Sequence, residues 1–210
     1  MQHDSKRTRF LRFATKFTFI IGTLFALILH FGASATEKVS AKPAALIDNF
    51  SNSINNNFGY PRQFINDTVV GGNTQAQQEV SNGKIHLSGE VVPPRGQPGW
   101  ASTVLLLSGE AQSIDASHYQ GLRIRIKINT GSVSISVNSN DVKNFDYHAT
   151  VINAATDGKY HEITIPFNSL QRMWSEQTQL NTKALNSLSI VAFGLKKTAF
   201  DFEIDEISFY

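Results

Sequence analysis

From Leu46 onward, apolar and polar positions alternate in short runs broken by turn residues, the period of half-buried strands. Over residues 121–129, Leu122, Ile124, Ile126 and Ile128 fall on one face, and Arg123, Arg125 and Lys127 on the other. Residues 132–138 repeat the pattern with Val133, Ile135 and Val137 inward and serines outward, and Asn129-Thr130-Gly131 between the two runs predicts a hairpin. Another hairpin is predicted where residues 75–80 and 84–91 flank Ser81-Asn82-Gly83, because Asn-Gly takes the positive φ angles of a tight turn. Further strands are expected near Leu46 and over 100–107, 145–153, 160–167, 188–195 and 200–210; only 169–178 and 183–187 read as helical. Many short strands, each with one apolar face and without βαβ alternation, predict an all-β fold: a two-sheet antiparallel jelly-roll sandwich.

The final strand changes phase. Phe200, Phe202 and Ile204 share one parity and Ile207 and Phe209 the other, which predicts a β-bulge at Asp205-Glu206. Before the slip, Asp201, Glu203 and Asp205 point outward, opposite in sign to Arg123, Arg125 and Lys127. The two strands are therefore expected to be neighbours carrying a solvated charge ladder.

The amino terminus has a different character. Lys6, Arg7, Arg9, Arg12 and Lys16 face one acid, Asp4, and residues 17–29 then run without a charge. Ala33-Ser34-Ala35 supplies the small residues of a cleavage site, so residues 1–35 are expected to be a signal peptide, 36–45 a linker and 46–210 the folded domain. Export to a periplasmic or extracellular location follows. An uncleaved membrane anchor is the alternative, although a span takes about 20 apolar residues. Taking the five basic residues and one acid of 1–35 from the chain's 19 and 17 leaves 14 bases against 16 acids. The basic surplus thus belongs to the leader, and nucleic-acid binding is excluded as a class. The chain has no cysteine, which excludes disulfides, thiolate zinc sites and cysteine nucleophiles.

The segment Asn66-Asp67-Thr68-Val69-Val70-Gly71-Gly72 joins two side chains that bond their own backbone to two glycines that permit unusual angles or close approach. It is followed by Gly99-Trp100-Ala101-Ser102, Tyr119-Gln120-Gly121-Leu122, Ile165-Pro166-Phe167 and Phe202-Glu203-Ile204-Asp205-Glu206-Ile207. In this order and spacing the motifs resemble the complex I intermediate-associated protein family, with Asn66, Asp67, Gly71 and Gly72 as the family motif. The resemblance implies a galactose-binding-like jelly-roll domain. It also implies action through protein contacts and not catalysis, since eukaryotic members are associated with assembly of respiratory complex I. The fold is similar to carbohydrate-binding modules as well, so the partner expected is a protein or a glycan. Where the family often has an aromatic-Gly-Arg element, this chain has Leu170-Gln171-Arg172-Met173-Trp174.

Ligand-binding candidates are Trp100, Tyr147, Arg172 and Trp174, which combine apolar area with polar handles. Core packing is the competing reading for Trp100, which opens an apolar strand. Asp48 and Asp205 are candidates for a structural calcium if the termini pair, although calcium requires six or more oxygens. No catalytic residue is assigned. His86, His118, His148 and His161 lack metal-ligand spacing, His161 reads as a cap on the core, and Glu110, Asp141 and Asp146 form a glycosidase pair only if their separation fits. A carbohydrate-binding module and a glycan-active enzyme are the alternatives to a binding domain for a protein.

Overall fold

The computed structural model describes residues 45–109 and 112–210. The signal segment and Glu110 lie outside the described residues, as does the linker except for Ala45, which opens the first strand. Eleven strands follow: β1 (Ala45–Asp48), β2 (Gln63–Asn66), β3 (Gln75–Ser81), β4 (Lys84–Val91), β5 (Gly99–Leu106), β6 (Gly121–Thr130), β7 (Ser132–Ser139), β8 (His148–Val151), β9 (His161–Pro166), β10 (Leu185–Gly194) and β11 (Thr198–Phe209). They form two antiparallel sheets. One runs β3-β4-β11-β6-β9, with β1 also paired to β11; the other runs β2-β5-β10-β7-β8.

The alternation seen in the sequence is the alternation between core and solvent. Ile124, Ile126, Phe202, Ile204 and Leu87 from the first sheet meet Leu105, Ile135, Val137, Leu188 and Ile190 from the second in one buried cluster. Each such side chain contributes about 1.5–3 kcal/mol through apolar burial. The Asn-Gly hairpin forms as expected between β3 and β4, with φ of 51° at Asn82 and 69° at Gly83. The bulge is also present: Ile204 pairs with Ile126 and Glu206 with Arg125, leaving Asp205 as the extra residue. It lets Ile204 and Ile207 both reach the core.

The charge ladder forms on the outer face of the first sheet. β11 lies against β6, Lys127 pairs with Glu203, and Arg125 pairs with Asp205 at 2.5 Å. Arg123 turns instead to Glu162 on β9, at 3.3 Å. Tyr160 donates to Glu203 at 2.6 Å with the cations of Arg125 and Lys127 near its ring. Burial, the hydrogen bond to Glu203 and the carboxylate's charge raise the Tyr160 hydroxyl well above its ordinary value.

Three local expectations are corrected. β6 and β7 are not a hairpin: they lie in different sheets, and the chain turns the corner at Gly131, φ 88°. A Cβ there would lie 2.7 Å from that of Phe200. Alternation assigns each strand an inward face but does not say which sheet carries it, and here the two apolar rows face each other across the core. Residues 169–178 are not helical, because Gln171 exchanges two backbone hydrogen bonds with Ala149 and so extends along β8. Residues 183–187 are the end of a 3-10 turn, Thr182–Ala184, followed by the start of β10.

Candidate functional site

The family-motif segment is a structural turn. Asn66 Oδ1 accepts from the Thr68 N–H at 3.1 Å, and a 3-10 turn covers Asp67–Val70. The Asp67 carboxylate is fully buried and accepts from the Thr74 N–H, the Thr74 hydroxyl and the Trp100 N–H at 3.0, 2.6 and 3.1 Å. It thereby ties the turn to the start of β5. The two glycines serve different ends. Gly71 has φ 85°, the left-handed cap of the turn, whereas a Cβ on Gly72 would stand 2.3 Å from Asp67 Cγ.

The carboxylates considered for calcium are each committed to a cation. Asp48, buried, receives Arg62 Nε at 2.6 Å, Arg62 Nη2 at 2.7 Å and the Phe50 N–H at 2.9 Å. Asp205 receives Arg125 on the outer face. Among the described residues no group of three or more His, Cys, Asp or Glu is placed to hold a metal. Asp48 and Asp205 therefore do not fit calcium as a pair.

Asp146, in the connection between β7 and β8, organises the connection between β9 and β10. Its buried carboxylate accepts from the N–H groups of Met173, Trp174 and Ser175 at 2.8, 3.1 and 2.7 Å. Burial alone would raise this carboxyl; the Ser175 side chain and the three N–H donors outweigh it and hold it below the ordinary aspartate value. Arg172 donates to the Asp146 carbonyl and to Asn144 Oδ1, so the two connections are clamped together. The result is an outward display: Phe145, Met173 and Trp174 are each more than 70% exposed, and Tyr147 meets Phe145 edge to face. Phe145 has φ 62°, a left-handed conformation costly for a bulky residue and found where neighbours hold it.

The second feature is the outer face of the β2-β5-β10-β7-β8 sheet. Register places Trp100 beside Phe193 and Ser132; Ser102 beside Val191 and Ser134; Val104 beside Ser189 and Ser136; and Leu106 beside Ser187 and Asn138. Ser102, Ser136, Asn138, Ser187 and Ser189 are buried although they face away from the core, because short side chains sit below their larger neighbours. The hydroxyls are held in place by Asn138, whose Nδ2 donates to Ser187 and Ser189 at 3.0 and 3.1 Å and whose Oδ1 accepts from Ser136. From the Trp100 row to the Leu106 row is six residues, about 20 Å along the strands. One end of this trough is aromatic. At the other, Tyr147 immediately precedes β8 with the parity of Ala149, which lies opposite Ser136.

The structure thus gathers Tyr147, Arg172 and Trp174 into one loop cluster, and sets Trp100 apart at the opposite end of the trough, half-buried on the outer face and not in the core. Period-two parity with Ser102 carried that signal for Trp100. Sequence reading missed Phe145 and Met173, and treated Asp146 as a candidate acid when its oxygens are committed to backbone. His161 is bonded to Asp157 at 2.9 Å.

Comparison with known proteins agrees with this architecture. The family 11 carbohydrate-binding module of the cellulosomal cellulase Lic26A-Cel5E of Clostridium thermocellum superposes with a TM-score of 0.60 at 18% identity, over 81% of this chain and 95% of that one. The family 11 module from Clostridium thermocellum in complex with a β-1,3-1,4-mixed-linked tetrasaccharide gives 0.56 at 16% identity, over 79% and 94%. A family 30 carbohydrate-binding module gives 0.51 at 14%, over 79% and 97%. At these identities the likeness is one of fold. No curated protein sequence matches the chain. The family model for complex I intermediate-associated protein 30 matches residues 57–205, which include Asp67, Gly71 and Gly72, so this chain belongs to the complex I intermediate-associated protein 30 family.

Proposed function

We propose that this protein is a non-catalytic, exported glycan-binding domain that holds a polysaccharide strand along the outer face of the β2-β5-β10-β7-β8 sheet. The observation that carries the reading is the trough itself. A row of oriented hydroxyls and an amide matches the donor and acceptor pattern of a sugar, and aromatic side chains at both ends offer faces for stacking. The shared fold with a module solved with a bound tetrasaccharide supports it. The buried carboxylates support a non-catalytic role, since Asp48, Asp67 and Asp146 each hold an arginine or backbone N–H groups. Export rests on the basic and apolar leader of residues 1–35. N-terminal sequencing of the protein recovered from the producing cell tests it: a mature start at Thr36 supports export and cleavage, and a retained Met1 in the cytoplasm contradicts both.

A second reading has its own observation. Phe145, Met173 and Trp174 form an exposed apolar display on two connections clamped together, which suits a protein partner. Tryptophan emission separates the two, because Trp100 reports the trough and Trp174 the loop. Saturable quenching by an oligosaccharide that survives Trp174→Phe and is lost in Trp100→Phe supports the glycan reading; silence across neutral and acidic saccharides contradicts it.

A further inference from the structure

Beyond the Trp100–Phe193 pair both strands run straight into a cleft. Pro98 and Gly99 lead back into the 92–98 loop, Gly194 and Leu195 lead forward into the turn before β11, and these two segments line an open cavity of about 550 Å³. Its lining carries Arg95, Lys196 and Lys197 and no acidic residue. Lys197 is paired with Glu90 at 3.0 Å, whereas Arg95 and Lys196 have no carboxylate partner among the described residues. This contrasts with the other face of the molecule, where Lys84, Arg123, Arg125 and Lys127 all have carboxylate partners. Val92, Pro93, Pro94 and Leu195 supply apolar walls between the cations, and Leu195 is 80% exposed.

We infer that the ligand of this face is an acidic polysaccharide, whose carboxylate or sulfate groups are received by Arg95 and Lys196 where the strand leaves the trough past Trp100 and Phe193. The inference rests on the glycan reading and adds the ligand's charge to it. A neutral chain would leave the two cations of this cleft without a counter-charge at the mouth of the site. An anionic one finds an Arg fork suited to a planar carboxylate or a sulfate and a Lys point charge beside it. Exposed pairs of this kind confer selectivity and on-rate more than raw affinity, and they are screened by salt.

The test is calorimetric titration of the purified full-length protein with three polysaccharides: neutral mixed-linked β-glucan, polygalacturonate and a sulfated galactan. Each is measured for the wild type, for Arg95→Ala/Lys196→Ala, and for the charge-preserving Arg95→Lys/Lys196→Arg. The expected result is that at least one acidic polymer binds about tenfold more tightly than the neutral one at low salt. That preference disappears in the alanine pair and persists in the charge-preserving pair. Which acidic polymer is preferred distinguishes carboxylate from sulfate. Equal binding of neutral and acidic polymers, or a preference untouched in the alanine pair, overturns the inference and leaves the glycan reading standing. Absence of binding to all three overturns the glycan reading, and this inference with it.

Discussion

Two buried carboxylates, Asp146 and Asp67, fix the segments they touch, and each does so through hydrogen bonds that a sequence motif only hints at. Asp146 fixes the loop that bears Trp174 by accepting three N–H groups. Asp146→Asn should cost about 1–3 kcal/mol, because an amide places a donor among donors and strands buried N–H groups; urea denaturation measures it. The same contacts give a pH dependence. The folded Asp146 carboxyl is held below its ordinary 3.8, so its contribution is complete well above that value and is lost as pH falls through the depressed one. In a Trp100→Phe background, Trp174 anisotropy should be steady at neutral pH and fall only in acid below the ordinary aspartate value of 3.8, with Asp146→Asn low at every pH. An acid-insensitive wild type would contradict the clamp. At the glycine pair the prediction separates backbone strain from space. Gly71→Ala should cost about 1 kcal/mol for its positive φ, and Gly72→Val more than about 2 kcal/mol, because the new side chain meets Asp67. Equal costs would show that the Asp67 contact is not the constraint.

At the scale of elements, β1 is tied to the segment before β2 by a buried ion pair and the outer ladder is held by exposed ones, and their energies should differ accordingly. Arg62→Met leaves the fully buried Asp48 without its cation and should destabilise by about 3–5 kcal/mol. Arg125→Met, half-exposed on the ladder, should cost less than about 1 kcal/mol. Thermal or chemical denaturation of the two variants side by side decides this, and comparable losses would contradict the assignment. Much of the element level was legible in the chain. Strict alternation located β6 and β7, the Asn-Gly turn set the β3–β4 register, and the change of parity after Ile204 marked the bulge. What was not legible depended on long-range pairing. The two arms of Gly131 join different sheets because of what lies across the core, and residues 169–178 are drawn into an extended path by Ala149. The partners of Asp48 and Asp146, Arg62 and the amides of 173–175, are 14 to 29 residues away in sequence, so no local pattern reports them. For Trp100 the apolar run of its strand points to the core and its alternation with Ser102 to the outer face, and the register follows the alternation.

The described domain has two unlike faces. The β3-β4-β11-β6-β9 face is closed by mutual ion pairs around Tyr160, and the β2-β5-β10-β7-β8 face offers oriented hydroxyls, aromatic ends and a cationic cleft. A core shared by both sheets lies between the two faces. The most direct test of this account is to map backbone amide shifts in the presence of an acidic oligosaccharide of about four sugars and its neutral counterpart. The account predicts that the shifts follow β5, β10 and β7 from Trp100 and Phe193 through Ser102, Ser134, Ser136 and Ser189. Shifts confined to Phe145, Met173 and Trp174, or spread over the charge ladder of β6 and β11, would contradict it.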